Sequence, residues 1–335
     1  MRRFVVEASD AGQRLDRWLA ARIPDLSRTR IQELIVEGRV RVDGAAARAS
    51  HQVATGEKVQ VEAAPRPPLA AQPEAIPLEI LYEDEDLVVV NKAAGMIVHA
   101  GAGAASGSGT LVNALLHRFR QLGGAASAIR PGIVHRLDKG TSGAVVVART
   151  DAAHATLGEQ FRTRTVKKTY LALVHGKLKG ASGTIDLPVA RDLKRRIRMT
   201  TRRREGRTAQ TRWHALLRLE GGAGAGRAAF TLAEVDLLTG RTHQIRVHFS
   251  ALGNPVVGDT LYGAPANPRV GTQNLPPLGR NFLHAARICF LHPRHGRPVE
   301  VRAPLAQELA AYLRQLAAAA GGSPDSVDAV LQPFL

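Results

Sequence analysis

An aspartate flanked by basic residues in a glycine-rich loop is the strongest candidate in this chain for a reacting group. Asp138 follows Arg136 by two positions and directly precedes Lys139. The surrounding segment 132–143 reads GIVHRLDKGTSG and leads into the apolar run 144–148. A carboxylate that neighbouring positive charge keeps ionised in a dry site can act as a nucleophile or a base. An aspartate in such a loop more often accepts hydrogen bonds from turn backbone groups, and the pattern alone favours that structural role.

The same loop raises a second chemistry. Residues 140–144, GTSGA, nearly match the G-x-S-x-G turn that exposes the nucleophilic serine of many hydrolases. The fifth residue is alanine, and a strand rather than a helix is expected to follow. A serine hydrolase that uses Ser142 is therefore a rival hypothesis with weaker support.

Positive charge is abundant and clustered. The 335 residues include 46 Lys and Arg against 29 Asp and Glu, which gives a formal net charge of +17. Residues 191–212 hold ten basic and two acidic residues, so eight of the 17 excess charges lie in this short run. Such a patch can follow a phosphate backbone, which predicts a nucleic acid as the partner. The expected RNA contacts in this run are Arg195, Arg196, Arg203 and Arg204.

A small α+β module is predicted at residues 12–64. Apolar residues at helical spacing predict one helix that ends before Pro24 and a second that Ser27 caps. Residues 40–42 predict a strand, because valines alternate with an arginine, and Asp43-Gly44 is a turn signal after it. A further strand is predicted near residue 60.

A larger domain is predicted at residues 78–312. Its strand signals lie at 87–90, 144–148, 170–174, 231–237 and 288–291, and its helical patches lie at 111–119 and 151–161. Many strands with few intervening helices are typical of an α+β fold with a mixed, largely antiparallel sheet. Residues 65–77, rich in Pro and Ala, are interpreted as a linker. Residues 313–335 are interpreted as an Ala/Gly-rich tail with a weak last helix.

Several motifs of the larger domain resemble those of the RluA/RluD family of pseudouridine synthases. HRLDKGTSG at 135–143 matches the family signature H-R-L-D-x-x-T-S-G, and GRTHQIRVH at 240–248 reproduces a second motif. NKAAGMIVH at 91–99 and KTYLALV at 168–174 are similar to two others. The motifs follow the family's order, so the resemblance implies the pseudouridine synthase fold and its activity.

The resemblance also implies roles for individual residues. Asp138 is the carboxylate that attacks the target uridine, at the base or at the ribose. The uracil is then detached at N1 and rejoined through C5, with no cofactor and no metal. Tyr170 packs against the base, Arg246 pairs with Asp138, and Arg136 enters the RNA where the base leaves. These roles make physical sense, because a uridine must be everted before a side chain can reach it, and an aromatic platform offsets lost stacking.

The RNA substrate is also implied by resemblance. Residues 12–64 are similar to the S4 RNA-binding domain, so Arg28 and Arg30 are expected to contact RNA. GAG at 101–103 followed by GTLVNALLH at 109–117 is similar to the RluD branch, which implies large-subunit (23S) ribosomal RNA. The rival class is a non-catalytic S4-type RNA-binding or ribosome-assembly factor.

Other classes find little support in the composition. No apolar run approaches the roughly 18 residues of a membrane-spanning helix, and the first ten residues do not resemble a secretory signal. The single Cys289 permits no internal disulfide. No metal site is predicted, because the closely spaced histidines at 243 and 248, and at 292 and 295, have no cysteine or clustered acid at ligand spacing. A cytoplasmic monomer is the expectation.

Overall fold

The structure is a computed structural model that describes residues 1–26, 28–62, 71–99, 107–119, 122–124, 130–220, 229–270 and 273–335. The described residues form two compact units, one within 1–62 and the other from residue 71 onward. In the part of the chain that the structure describes, no helix is both long and apolar enough to cross a bilayer.

The first unit packs two helices against a four-stranded antiparallel sheet. Its elements are β1 (Arg2–Val5), α1 (Leu15–Arg22), α2 (Arg28–Val36), β2 (Val40–Val42), β3 (Ala45–Ala46) and β4 (Lys58–Val61). The strands lie in the order β1-β4-β2-β3. Both predicted helices and the predicted strands are confirmed, and Asp43 and Gly44 have the positive φ angles of the expected turn. The capping role predicted for Ser27 falls outside the described residues.

Strand β1 was not predicted from the sequence. It pairs with β4 along Arg2–Val5, so the unit begins ahead of residue 12. Its four residues, RRFV, carry too little alternation to be read as a strand without the partner strand.

The second unit contains the remaining elements, which surround one large sheet. They are β5 (Glu79–Glu83), β6 (Leu87–Lys92), α3 (Leu111–Arg118), β7 (Ser142–Ala148), α4 (Asp151–Thr163), β8 (Lys167–His175), β9 (Ser182–Asp186), β10 (Ala190–Arg191), β11 (Met199–Thr200), β12 (Gln210–Glu220), β13 (Ala229–Leu237), α5 (Gln244–Ala251), β14 (Arg269–Val270), β15 (Gln273–Asn274), β16 (Leu283–Leu291), β17 (Pro298–Arg302), α6 (Gln307–Ala319) and α7 (Pro324–Leu331).

The sheet runs β5-β6-β7-β16-β8-β13-β12-β9, with β17 also paired to β16. All of these pairings are antiparallel except β7 with β16. The predicted mixed, largely antiparallel α+β class is therefore confirmed. Strands β7, β16 and β8 are neighbours in the middle of the sheet, and every residue of β7 is buried, as its continuous apolar run requires.

The end of the chain is part of the core. Residues 313–335, expected to be a tail, lie in α6, in α7 and in a short 3-10 turn. Leu309, Leu313 and Leu316 on α6 and Val327 and Leu331 on α7 are all fully buried. The boundary expected at 312 falls inside α6, because the alanines of this segment conceal a leucine stripe at helical spacing.

Residues 71–77, expected to be linker, are bonded to the beginning of α3. The Asn113 side chain donates to the Gln72 carbonyl, and the Glu74 carboxylate accepts from the Gly109 backbone N–H. Thr110 caps α3, with Thr110 and Asn113 exchanging side-chain to backbone hydrogen bonds as a capping box does. These residues therefore belong to the second unit.

The loop that carries Asp138 is held in place where β7 meets β16. Gly143 has φ +113°, and an added Cβ would lie 2.3 Å from the Ala285 carbonyl oxygen. Only glycine allows both this backbone conformation and this close approach. The loop therefore leaves the sheet at a fixed point.

We expect Gly143→Ala to lower the free energy of unfolding by about 2–4 kcal/mol, because it adds backbone strain and a clash with a buried strand. Gly158→Ala is the matched control: Gly158 lies in α4 with open space around its Cα, so alanine should stabilise the protein by up to about 1 kcal/mol. Chemical denaturation of the two variants measures both values. Equal stability of the two variants would contradict the role of Gly143.

Candidate active site

A cavity of about 450 Å³ in the second unit brings the three proposed site residues together. Asp138 comes from the loop before β7, Tyr170 from β8 and Arg246 from α5. Asp138 and Arg246 are 108 positions apart in the chain and hydrogen-bonded in the structure. Apolar side chains, including Leu137, Ile245 and Leu283, form part of the cavity wall.

Arg246 is bound by two carboxylates at once. Its Nη1 donates to Asp138 Oδ2 at 3.0 Å, while its Nε and Nη2 donate to the two oxygens of Asp259 at 2.6 and 2.9 Å. The side chain of Asp259 is 2% exposed, that of Arg246 10% and that of Asp138 19%. Burial alone would lower the pKa of Arg246, but Asp259 and Asp138 together raise it above the ordinary arginine value. Arg246 is therefore a permanent cation beside Asp138.

The helical spacing of the GRTHQIRVH segment determines the face of α5 from which the Arg246 side chain projects. Gln244 and His248, four residues apart on one face of α5, both bond Thr211 of β12. Gln244 also donates to the Gln210 carbonyl and accepts from the Thr239 hydroxyl and the Arg241 N–H, and His248 bonds the Leu187 carbonyl. Arg246 lies between them in sequence and so projects from a different face. Sequence analysis did not predict helix α5.

The Asp138 loop is fastened by backbone hydrogen bonds. Thr141 N–H donates to the Asp138 carbonyl at 3.1 Å, and Gly95 N–H donates to the Lys139 carbonyl at 2.7 Å. Arg280 Nη1 donates to the Gly140 carbonyl. The segment 91–99 therefore supports the loop from behind rather than supplying a reacting group.

Two buried bases nearby also have structural roles. The Nε2 atom of His135 accepts the Val146 backbone N–H, and burial lowers its pKa to about 3, so the ring is neutral. Lys92 donates to the carbonyls of Ala93 and Met96, and burial lowers its pKa to about 8.

Tyr170 forms an aromatic wall of the cavity. Its side chain is buried in β8, between Ala285 of β16 and Val235 of β13. Burial and, to a lesser degree, the charge of Asp138 raise the pKa of the phenol, so it stays protonated. A neutral aromatic side chain beside a carboxylate can hold a planar base by stacking.

The mouth of the cavity is cationic. Arg136, which the resemblance implies enters the RNA, is exposed there. Further basic residues that line the cavity were not predicted: Arg162, Arg164, Lys168 and Arg241. Burial, together with the charge of Arg164, lowers the pKa values of Lys168 and Arg241. Crowded cations of this kind favour an anionic ligand.

The other expected RNA contacts lie outside the cavity. Arg195 and Arg196 are exposed in the connection between β10 and β11, and Arg203 and Arg204 follow β11, with Arg203 paired to Glu205.

In the first unit, Arg28 bonds the buried Asp16. Its neighbour Arg30 bonds Glu33 and Glu37. Both arginines of α2 are thus already engaged with acids of their own unit.

Two functional candidates were missed by the sequence analysis. Asp259, which lies beyond the GRTHQIRVH segment in the chain, was given no role, because its pairing with Arg246 cannot be read from spacing. His243 was considered only as a metal ligand, yet its Nε2 atom lies 3.9 Å from Asp138 Oδ2.

The structure gives no support to the serine hydrolase hypothesis. Ser142 is 3% exposed and does not line the cavity. Its hydroxyl lies 2.8 Å from His284 Nδ1 and accepts a hydrogen bond from Arg280. His284 in turn donates from Nε2 to the Ala303 carbonyl. Ser142 and His284 therefore resemble a nucleophile and its base, but both side chains are buried in the sheet.

Within the described ranges, the residues that could share a metal ion are Asp84, Asp86 and His292. Acids near a histidine were not foreseen from the sequence, because Asp84 and Asp86 lie in the turn before β6 and His292 follows β16. The two carboxylates are already satisfied: Asp84 accepts from Tyr82 and His292, and Asp86 pairs with Arg294. None of the three residues lines the cavity.

Comparison with known proteins shows which family the chain is similar to. A family model described as RNA pseudouridylate synthase matches residues 86–251, and an S4 domain model matches residues 13–59. The ribosomal large subunit pseudouridine synthase D of Xanthomonas campestris is 43% identical over 92% of this chain and 90% of its own. That of Nitrosomonas europaea is 41% identical over 91% of this chain and 85% of its own.

Among solved structures, human RNA pseudouridylate synthase domain containing 1 is similar, with a TM-score of 0.53 and 30% identity. The similarity covers 75% of this chain and 97% of the human one. The matched range 86–251 contains Asp138, Tyr170 and Arg246.

We expect Ser142 to be inert toward a fluorophosphonate probe, because its hydroxyl is buried and held by His284 and Arg280. Intact-mass measurement after incubation with the probe should show no adduct, in the wild type and in Ser142→Ala alike. An adduct that forms on the wild type and is lost in Ser142→Ala would revive the hydrolase hypothesis.

Proposed function

The chain belongs to the RNA pseudouridylate synthase family, and from this premise we propose that it converts uridines of large-subunit ribosomal RNA to pseudouridine, with Asp138 as the attacking carboxylate. The observation that carries the proposal is the contact of Asp138 with Arg246 in a cavity that Tyr170 also lines. The same relatives that establish the family include two named for the ribosomal large subunit.

The reaction is an isomerisation whose atoms balance within the substrate. The bond from C1′ of the ribose to N1 of the base breaks, the uracil turns, and a bond from C1′ to C5 forms. The hydrogen on C5 leaves as a proton and N1 gains one. A carboxylate can start this sequence by adding to the base or to the ribose, and both routes remain open here.

The hydrogen bonds of Asp138 distinguish its two oxygens. Oδ2 receives the hydrogen bond of Arg246, whereas no side chain or backbone group of the described residues donates to Oδ1. Arg246 holds the carboxylate in one orientation, because the guanidinium is a permanent donor bonded to Oδ2. Oδ1 is then the oxygen with lone pairs free to attack.

The depth of the site requires an everted uridine. Asp138 is mostly buried, and a base that stays stacked in RNA cannot reach it. Extrusion costs a few kcal/mol of stacking, which the ring of Tyr170 can offset by stacking on the base. Arg136, exposed at the mouth of the cavity, is placed to fill the gap that the base leaves in the RNA.

The distribution of charge fits a long polyanion rather than a free nucleotide. Cations surround the mouth of the cavity, and an exposed basic run follows β10. The S4 unit adds a second RNA-binding module, in which Arg28 and Arg30 would contact RNA while they remain paired to acids. We propose a monomer, because one chain supplies every residue proposed for catalysis. The proposed ribosomal RNA substrate favours the cytoplasm as its location.

Asp138→Asn should abolish pseudouridine formation while RNA binding is retained within about twofold. The amide has nearly the same shape but cannot act as the nucleophile, so the loss should exceed about 1000-fold in rate. Release of tritium from ribosomal RNA labelled at C5 of uridine measures the reaction, and filter binding measures affinity. Normal tritium release from this variant would favour a non-catalytic RNA-binding or assembly factor.

Replacing Arg195, Arg196, Arg203 and Arg204 with glutamine should flatten the dependence of RNA affinity on salt concentration. Each lost phosphate contact reduces the slope of log K against log[salt] by about 0.7–0.9, so up to about four contacts are at stake. The matched control replaces four exposed basic residues that do not line the cavity: Lys177, Lys179, Arg218 and Arg297. Equal slopes for the two variants would show that the basic run is only a solvated surface.

A further inference from the structure

His243 has a backbone conformation that calls for an explanation. It immediately precedes α5 with φ 55° and ψ 21°, in the left-handed region that few residues other than glycine adopt. Its carbonyl accepts the Val247 N–H at 2.9 Å, but its side chain makes no capping hydrogen bond, so helix capping does not account for the position of the imidazole. Its effect is to bring the imidazole to the cavity, with the side chain 19% exposed. Strain of this kind persists where the surrounding structure imposes it.

The hydrogen bonds of Tyr262 determine which nitrogen of His243 carries the proton. The Tyr262 hydroxyl accepts the Met199 backbone N–H at 2.8 Å and lies 2.8 Å from His243 Nδ1. Tyr262 is 2% exposed, and the described residues offer its hydroxyl proton no other acceptor. The hydroxyl must therefore donate to Nδ1, which leaves the proton of the neutral ring on Nε2.

That Nε2–H group faces the catalytic carboxylate. It lies 3.9 Å from Asp138 Oδ2, beyond hydrogen-bonding distance, and meets no acceptor among the described residues. Oδ2 is the oxygen that Arg246 already holds. A shift of less than about 1 Å in the Asp138 loop or the His243 ring would give Oδ2 a second donor.

We propose that His243 is a positioning residue for this reaction: its Nε2–H group, fixed by Tyr262, hydrogen-bonds Asp138 Oδ2 once the everted uridine fills the cavity and so presents Oδ1 to the substrate. The inference rests on the proposed function and adds a residue to it. A neutral donor orients the carboxylate without adding a second full positive charge beside Arg246, which would lower the nucleophilicity of Oδ1.

The charges around His243 favour the neutral ring. Burial lowers its pKa, and Arg246 and Arg136 act in the same direction, while Asp138 and Asp259 oppose them. Tyr262, which lies edge-on to the ring, is the remaining titratable group in contact and is protonated at neutral pH. Protonation of His243 at low pH would place an imidazolium against Asp138 and reduce its nucleophilicity.

Tyr262 is itself fastened to the basic connection that follows β10. Besides the Met199 N–H bond, the guanidinium of Arg198 lies 5.2 Å from the centre of the Tyr262 ring, and that of Arg246 lies 5.0 Å from it. The phenol thus contacts one backbone N–H group and two guanidinium groups. Its hydroxyl cannot turn away from His243 without losing the Met199 bond.

The first test replaces His243 with asparagine, which tolerates the left-handed conformation but is too short to reach Asp138. With C5-tritiated ribosomal RNA, we expect kcat to fall about 10- to 100-fold, the equivalent of one hydrogen bond to a charged group, and KM to change less than about twofold. An unchanged kcat would overturn the proposal. A raised KM with unchanged kcat would assign His243 to RNA binding and overturn it equally.

The second test compares Tyr262→Phe with Tyr312→Phe. Both remove a buried phenol hydroxyl, but Tyr312 lies on α6, its hydroxyl has no hydrogen-bond partner among the described residues, and it does not line the cavity. Loss of the Tyr262 hydroxyl removes the bond that favours neutral His243, so the acidic limb of the kcat–pH profile should move to higher pH. Tyr312→Phe should reproduce the wild-type profile. Coincident profiles for all three proteins would overturn the proposal.

Failure of the proposed function and failure of the role of His243 would give different results in these assays. If the wild type releases no tritium, the enzymatic function fails and the role of His243 fails with it. If the wild type is active, Asp138→Asn is inactive and His243→Asn is as fast as the wild type, only the role of His243 is lost.

Discussion

The site depends on one arginine held between two aspartates. Arg246 uses three of its nitrogens, two on Asp259 and one on Asp138, and this fork is geometry that a lysine could not supply. Asp259 fixes the guanidinium plane, and the fixed plane then sets the orientation of Asp138. Removing one partner from a buried pair of this kind costs roughly 3–5 kcal/mol, because a charge is left without compensation. The site therefore needs the buried carboxylate of Asp259 as much as it needs the carboxylate of Asp138.

Periodicity in the sequence predicted local elements, whereas a contact between distant residues was predicted only where the family resemblance implied it, as for Arg246 with Asp138. The helices at 15–22, 111–118 and 151–163 and the strand at 142–148 follow from periodicity, and Asp138, Tyr170 and Arg246 follow from motifs. The pairing of Arg246 with Asp259 depends on the position of the turn after α5 relative to that helix. Residue spacing in the sequence does not predict this position. Helix α5 was missed because its buried polar residues, Gln244 and His248, remove the apolar stripe by which a helix is recognised.

Charge patterning shows the same limit. Arg28 and Arg30 look like free cations on a helix in the sequence, but Asp16, Glu33 and Glu37 fold against them. The run after β10 is also arginine-rich, yet most of it stays exposed because few acids are near it. A count of basic residues therefore predicts that a polyanion binds, while the ion pairs decide which arginines are available to bind it.

The isomerisation places an unusual demand on a site, because the detached uracil must stay in place long enough to turn and rejoin the ribose. A site for this reaction therefore needs side chains that confine the detached uracil as well as groups that react with it. Here the walls come from the rigid centre of the sheet: Tyr170 is fixed in β8 between two strands, and Gly143 allows β7 and β16 to meet closely beneath the Asp138 loop. The cations lie at the mouth, where they can hold the RNA backbone without contacting the turning base. A floor fixed by the sheet and a charged mouth meet these two demands, so the loop that carries Asp138 needs to add only the proposed attacking carboxylate.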